Sequence, residues 1–304
     1  MAWTKQGLVI PAPPPLDWAS SHAALPVVRA LEGDALEIYF STRDERGRSH
    51  IAAASVDSGV PLDEPEYRQT PVLAPGPLGA FDDAGVTSAC LVESNGRLYQ
   101  YYSGWSLGVS VPFYFYVGCA TSDDGGATFR RVSQSPLLER DDVDPFLTAS
   151  PWVLIENGTW RMWYVSGTGW EVHHGRPTHR YHIKYAESSD GIRWTRKGHV
   201  CIDYRDRSEY AIARPCVLHE CGRYRMWFSA RGESYRLGYA ESSDGLEWER
   251  DNGQAGLEPS PYGWDSEMIA YPCVLDRLDR RYVLYNGNGY GATGIGYASY
   301  EPGA

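Results

Sequence analysis

Apolar and polar positions alternate in short runs along nearly the whole chain. The clearest runs are A-L-E-I-Y-F-S (35–41), R-L-Y-Q-Y-Y-S (97–103), T-W-R-M-W-Y-V (159–165), R-Y-R-M-W-F-S (223–229) and R-Y-V-L-Y-N (281–286). A period of two, rich in aromatic and β-branched residues and bounded by Gly, Asp and Asn, reads as strands joined by turns. Each run follows a short apolar stretch: L-P-V-V (25–28), S-A-C-L-V (88–92), S-P-W-V-L (150–154), R-P-C-V-L (214–218) and Y-P-C-V-L (271–275). Little of the chain is left for helix.

A longer phrase sets the period. Residues 185–194 read Y-A-E-S-S-D-G-I-R-W and residues 239–248 read Y-A-E-S-S-D-G-L-E-W, with a looser copy at 119–129. Taking Pro26, Ala89, Pro151, Pro215 and Pro272 as anchors, the units recur every 63, 62, 64 and 57 residues. Self-similarity at this period denotes a repeat architecture. The Asp-Gly pairs mark hairpins, because Gly accepts φ > 0, and each unit has room for four strands. The expected fold is all-β: a five-bladed β-propeller with blades of about 17–75, 76–135, 136–200, 201–255 and 256–301. The last unit lacks its fourth strand. The N-terminal W3-T-K-Q-G-L-V-I resembles W194-T-R-K-G-H-V-C-I, so residues 3–10 are expected to complete the last blade and close the ring. One domain then spans 1–304. Asp190 and Asp244 of the repeated phrase fall in outer hairpin turns.

Composition narrows the partners. A net charge of −11 and a pI near 5.2 argue against a nucleic-acid surface. No apolar stretch approaches the roughly 20 residues of a membrane span, and the N-terminus has no charged segment leading into an apolar one. A cytoplasmic protein with no membrane partner is expected, of unassigned oligomeric state. Six cysteines raise the question of bridges or metal. Cys90, Cys216 and Cys273 recur at one repeat position, where Cys acts as a small buried residue. On separate blades they should lie too far apart to bridge. No metal or cofactor is expected.

Chemistry is expected where the repeats diverge, in the segments leading into each first strand. These should sit at one mouth of the channel. Four of the five carry carboxylates: Asp82 and Asp83, Asp144, Glu209, and Asp265 and Glu267. Converging carboxylates split their pKa values and supply an acid and a base, although each can equally cap a turn. Arg43 and Arg231 occupy one repeat position (F-S-T-R, F-S-A-R), where Trp105 and Asn288 stand in two other units. With Arg214 they could clamp an anion, or neutralise their neighbours. His22 lies in the first lead-in. Residues 167–182, with four of the eight histidines, read as an insertion forming a polar lid, with Trp170 available to stack on a sugar.

These features resemble the five-bladed propeller glycosidases, the β-fructosidase and arabinanase/xylosidase superfamily that includes glycoside hydrolase families 32, 43 and 130. The likeness covers nearly the whole chain. It is closest to uncharacterised glycosidase-like proteins sharing F-S-T-R-D (40–44), E-Y-A-I-A-R-P (209–215), W-D-S-E-M (264–268) and Y-N-G-N-G-Y-G (285–291). The resemblance implies a sugar site at the channel mouth. Asp144-Pro145 could stand for the middle Asp of family 43 and Glu209 for its acid, whereas the first-blade Asp is replaced by Asp17 and His22. No W-M-N-D-P-N or R-D-P motif occurs, nor an E-C motif of the fructosidase kind.

The leading expectation is a glycosidase acting on a sugar, oligosaccharide or sugar conjugate, with an anionic group allowed for. Glu209 would be the acid and Asp83 or Glu267 the base or nucleophile. Asp82, Asp144 and Asp265 would tune them or bind hydroxyls, Arg43, Arg214 and Arg231 would hold an anion, and Trp105, Trp170 and Tyr271 would stack, with His22 and Asn288 nearby. Two rivals stand beside it: the same fold recruited to non-hydrolytic chemistry on a biosynthetic intermediate, and a non-catalytic carbohydrate-binding propeller.

Overall fold

A computed structural model describes residues 3–300 except 58–61, 174 and 278. His174 of the histidine-rich segment and Glu301, the expected end of the fifth unit, lie outside the described residues. The chain is all-β. Among the described residues, helix is confined to one turn at Asn252–Ala255 and one at Asn288–Gly291.

β1 (Thr4–Ile10) opens the chain. β2 (Ser21–Ala30), β3 (Ala35–Arg43), β4 (Ser49–Asp57) and β5 (Glu66–Tyr67) form the first antiparallel unit. β6 (Gly85–Ser94), β7 (Arg97–Leu107), β8 (Phe113–Ser122) and β9 (Arg130–Arg131) form the second. β10 (Thr148–Glu156), β11 (Thr159–His173), β12 (Arg176–Ser188) and β13 (Thr195–Ile202) form the third. β14 (Ala211–Glu220), β15 (Arg223–Arg231), β16 (Tyr235–Ser242) and β17 (Glu249–Arg250) form the fourth. β18 (Ala270–Arg277), β19 (Arg280–Asn286) and β20 (Ile295–Tyr300) are completed by β1, which pairs with β20 from Thr4↔Ser299 to Ile10↔Ile295.

The units are not all separate sheets. Single parallel pairs, Ser49↔Gly85 and Tyr181↔Ala211, join the first unit to the second and the third to the fourth. Two eight-stranded sheets and one four-stranded sheet result. The junctions fall where β4 and β12 reach the start of the next unit's first strand, close enough to exchange backbone hydrogen bonds. A second departure concerns residues 167–182. They are not an inserted lid but the prolonged ends of β11 and β12, paired from Gly167↔Tyr181 out to His173↔Arg176. The alternation T-H-R-Y-H at 178–182 is a strand pattern, with His179 and Tyr181 on one face.

Each first strand bulges at its anchor, with register breaks at 24/27, 88/90, 149/152, 213/216 and 270/273. The residue before the proline is left-handed: Leu25 (φ 56°), Ser150 (45°), Arg214 (56°) and Tyr271 (60°). At four joints the bulged N–H donates to the side chain of a second-strand residue in the preceding unit. These bonds are Ser88 N to Ser41 Oγ (3.0 Å), Ser150 N to Ser103 Oγ (2.8 Å), Tyr271 N to Ser229 Oγ (2.7 Å) and Leu25 N to Asn286 Oδ1 (2.9 Å). The last ties the first unit to the fifth. Val165 holds the matching position before Arg214 and has no such oxygen.

The cysteines form a parallel set of joints. Val153 N donates to Cys90 Sγ at 3.4 Å and Val274 N to Cys216 Sγ at 3.1 Å. All six thiols are free. The buried thiols of Cys216 and Cys273, at equivalent positions in neighbouring units, lie near enough to influence each other's protonation without being bridged. First strands converge toward the centre, so their inward side chains meet.

The repeated S-x-D-G phrase is a docking socket. Asp190 Oδ1 accepts from the N–H groups of Ile192 and Arg193, and Asp244 Oδ1 from those of Leu246 and Glu247. These bonds hold both carboxyls below the ordinary Asp range. The turn carbonyl then takes an aromatic donor from the unit before: Tyr101 Oη on Gly191 O (2.7 Å) and Trp163 Nε1 on Gly245 O (2.8 Å). Gly191 has φ +74°, and a Cβ there would stand 2.7 Å from Trp160 and 2.8 Å from Tyr101 Oη. Gly158 has φ +81° with nothing within 4 Å. Gly158→Ala should therefore cost about 1 kcal/mol of backbone strain, and Gly191→Ala about 3 kcal/mol once overpacking is added. Urea denaturation of the two variants measures the difference.

A cation-lined cavity where the five units meet

A cavity of about 390 Å³ collects side chains from all five units. Unit one supplies His22, Thr42 and Arg43; unit two supplies Trp105, Phe113 and Phe115. Unit three supplies Leu147, Val165, His179 and Tyr181, unit four Arg231 and Tyr235, and unit five Tyr271 and Tyr290. No Asp or Glu lines it among the described residues.

The expected carboxylates are elsewhere, and they share one arrangement. Asp82, Asp144, Glu209 and Asp265 are buried six or seven residues before their anchors. Each meets a base from its unit's fourth strand. Asp82 pairs with Arg131 (2.8 Å), Asp144 with Arg196 (2.7 Å), Asp265 with Lys5 (2.6 Å), and Glu209 with both terminal nitrogens of Arg250 (2.9 and 3.0 Å). A second-strand tyrosine donates to three of them: Tyr102 to Asp82, Tyr164 to Asp144 and Tyr285 to Asp265. Asp144 also accepts from Ser166 Oγ (2.5 Å) and Lys184 Nζ (3.3 Å). Glu209 also accepts from Arg205 N (2.7 Å). Unit one lacks the whole set at once: Ala19 replaces the acid, Phe40 the tyrosine and Tyr67 the base, and the two rings pack edge to face at 6.4 Å.

Of the other expected residues, Asp83 is a surface side chain accepting from Gly79 N (2.9 Å), and Glu267 is exposed. Asn288 ties its own lead-in, accepting from Glu267 N (2.8 Å) and donating to Gly263 O (3.0 Å). Trp170 stands behind the cavity wall, 5.3 Å from Phe113. Arg214 is 1% exposed and reaches across the centre to Ser88 O (2.5 Å) and Pro26 O (2.8 Å), with no carboxylate partner and its Nε unbonded among the described residues. Among those residues no cluster of three His, Cys, Asp or Glu is placed to hold a metal ion. Among the described residues no helix is long and apolar enough to cross a membrane.

His22, Arg43, Trp105, Arg231 and Tyr271 do come together in the cavity. Arg43 is exposed at the end of β3 and meets no carboxylate among the described residues. The Arg231 guanidinium lies over the rings of Tyr210 (5.2 Å), Tyr235 (5.4 Å) and Tyr290 (5.4 Å), also without a carboxylate among those residues. Burial raises the phenols of Tyr181, Tyr235 and Tyr271 well above the usual range, so they stay protonated and donate hydrogen bonds at neutral pH. Tyr181 and Tyr235 share a short O–H···O contact. Burial, aided by Arg43, lowers His22 and leaves its ring neutral.

Four titratable lining residues lie outside the set expected from the sequence: His179, Tyr181, Tyr235 and Tyr290. The period-two alternation around 178–182 carried a signal for the first two. Tyr290 is held at φ 61° between glycines, and no pattern marks it.

One pair of substitutions tests this division. Asp144→Asn leaves Arg196 with Asp141 and Lys184 with the Val143 carbonyl, removes the buried charge both bases share, and should cost about 3 kcal/mol. Asp83→Asn should cost under about 1 kcal/mol. Denaturant titrations measure both. Burial and then Arg231 depress His179 to about 4. Its folded pKa lies below the unfolded value of about 6.5, so the unfolded chain takes up the proton first. The stability present above about pH 6.5 is lost as pH falls toward about 4. His179→Phe should flatten that slope in denaturation curves taken across the window.

The sequence matches no family model. It is 44% identical over 301 residues to two uncharacterised proteins of Mycobacterium tuberculosis, Rv1502 of strain H37Rv and MT1551 of strain CDC 1551. The match covers 99% of this chain and all of each relative. Among solved structures, a glycoside hydrolase superposes with a TM-score of 0.78 at 18% identity, covering 98% of this chain and 91% of that one. A thermostable family-43 glycoside hydrolase gives 0.70 at 17%, covering 95% and 93%. Likeness at that identity concerns the fold alone, which this chain shares with those two structures.

Proposed function

The chain belongs to one family with these uncharacterised mycobacterial proteins, and on that premise we propose a five-bladed propeller that holds an anionic sugar or sugar conjugate in the cavity. The observation that carries this reading is the lining: two arginines without carboxylate partners among the described residues, aromatic faces, and no acid. A guanidinium fork matches a carboxylate or phosphate through paired N–H donors. Ring faces such as Trp105 and Tyr271 suit the apolar face of a pyranose.

The same lining favours chemistry other than two-carboxylate hydrolysis. That reaction needs two acids flanking the bond, roughly 5–9.5 Å apart. Glu209 and Asp144, the carboxylates the resemblance would recruit, are occupied by buried ion pairs. In our reading a neutral His22 accepts a proton, the Tyr181–Tyr235 pair donates hydrogen bonds, and Arg43 and Arg231 orient the anion. The reaction is then a non-hydrolytic step on an activated or acidic sugar.

Isothermal titration with glucuronic acid, glucose 6-phosphate and glucose tests the binding half. At least one anion should bind about tenfold more tightly than glucose, and Arg43→Met and Arg231→Met should each erase the preference. Equal binding of glucose and both anions would remove the proposal. Hydrolysis of aryl-glycosides that vanishes in Glu209→Gln, with unfolding unchanged, would establish the two-carboxylate hydrolase instead.

A further inference from the structure

The cavity is two-sided. The cations come from units one and four. The opposite wall is built by Trp105, Phe113 and Phe115 of unit two with Leu147 and Val165 of unit three. The Phe113 and Phe115 rings are 4.8 Å apart, and Trp105 follows at 6.4 Å. The one polar atom on these five side chains is already used: Trp105 Nε1 donates to Ser49 Oγ at 2.7 Å. Sugar hydroxyls laid against this wall would find no partner, which costs free energy. An apolar group laid there would gain it.

The wall continues out of the cavity. Phe113 pairs with Leu107 across the β7–β8 hairpin. Leu107 is 75% exposed, and Val109, in the connecting turn, is fully exposed. Apolar surface running from a cavity wall to an unprotected rim is unusual, because exposed patches are generally kept small unless they bind something.

We propose that the ligand is amphipathic: an anionic sugar carrying a hydrocarbon chain that lies along Trp105, Phe115 and Phe113 and leaves over Leu107 and Val109. This rests on the reading of the cavity as an anionic-sugar site and adds what the sugar is attached to. The two poles then act separately. Arg43 and Arg231 recognise the head, and the unit-two wall recognises the chain. The anion is a carboxylate or a phosphate, which the arginines bind alike.

The test is a set of six probes, all below their micellar concentrations, titrated calorimetrically into the whole protein: methyl and octyl β-glucuronide, methyl and octyl glucosyl phosphate, and methyl and octyl β-glucoside. In one anionic series the octyl compound should bind at least about 30-fold more tightly than the methyl compound. That series also identifies the anion. Phe113→Ala and the double variant Leu107→Ser/Val109→Ser should each reduce the octyl-to-methyl ratio by about fivefold or more. Circular dichroism checks that Phe113→Ala is folded; the rim residues lie outside the core. Equal affinity of octyl and methyl compounds in both anionic series, or no binding by any probe, overturns the proposal, as does an octyl advantage that survives both variants. An octyl advantage equally large in the neutral glucosides and indifferent to Arg43→Met would sink the anionic-sugar reading and leave the apolar wall standing.

Discussion

The structure depends on a strained bulge repeated in every first strand. Four of the five units place a residue with a side chain, not a glycine, in the left-handed region just before the anchor proline. Each costs about 1 kcal/mol or more relative to ordinary β backbone. A glycine would avoid the strain, but it would present nothing inward. The bulge turns Leu25, Ser150 and Tyr271 into the cavity and sends Arg214 across the centre. Its freed N–H is taken by Ser41, Ser103, Ser229 or Asn286 of the preceding unit, so the distortion that shapes the cavity is also what fastens the units together. The joint without that oxygen, at Val165, is the one whose bulged residue is Arg214. There the guanidinium makes the inter-unit contacts itself.

Charge is sorted by the same geometry. The protein is strongly acidic, yet the cavity's charged groups are the guanidinium ions of Arg43 and Arg231. Four buried acids are matched by bases on the fourth strands, at the periphery of their units. A positive concavity within a negative surface focuses the field on an anion that enters it. Each of the four buried carboxylates pins its lead-in segment to the outer strand of its own unit, and Tyr102, Tyr164 or Tyr285 ties three of them to the second strand as well.

The acids illustrate what sequence reading can and cannot separate. Their recurrence in lead-in segments pointed equally to a shared site and to a shared scaffold contact. The telling signal in the repeat is that the acid and its fourth-strand base go together: unit four keeps Glu209 and Arg250 with Phe228 at the tyrosine position, and unit one loses both for Ala19 and Tyr67. A catalytic acid is needed once, whereas a scaffold contact is needed in every unit. The arginines ran the other way: Arg43 and Arg231 recur at one position, but no acid recurs with them, and they are the pair that stands in the cavity without an acid beside it.

The chain's own pattern determined the all-β class, the repeating units, the approximate strand limits and the pairing of residues 3–10 with the last unit. These follow from local alternation, turn residues and self-similarity, which act over a few residues or repeat identically. What only the tertiary structure decided was which inward side chains share a space. His179 and Tyr181 come from a hairpin that reads as an insertion, and Tyr290 from a glycine-flanked turn. Cys216 and Cys273 are near neighbours although 57 residues separate them. Convergence of the first strands creates those neighbours, and no local spacing encodes the distance between one unit and the next.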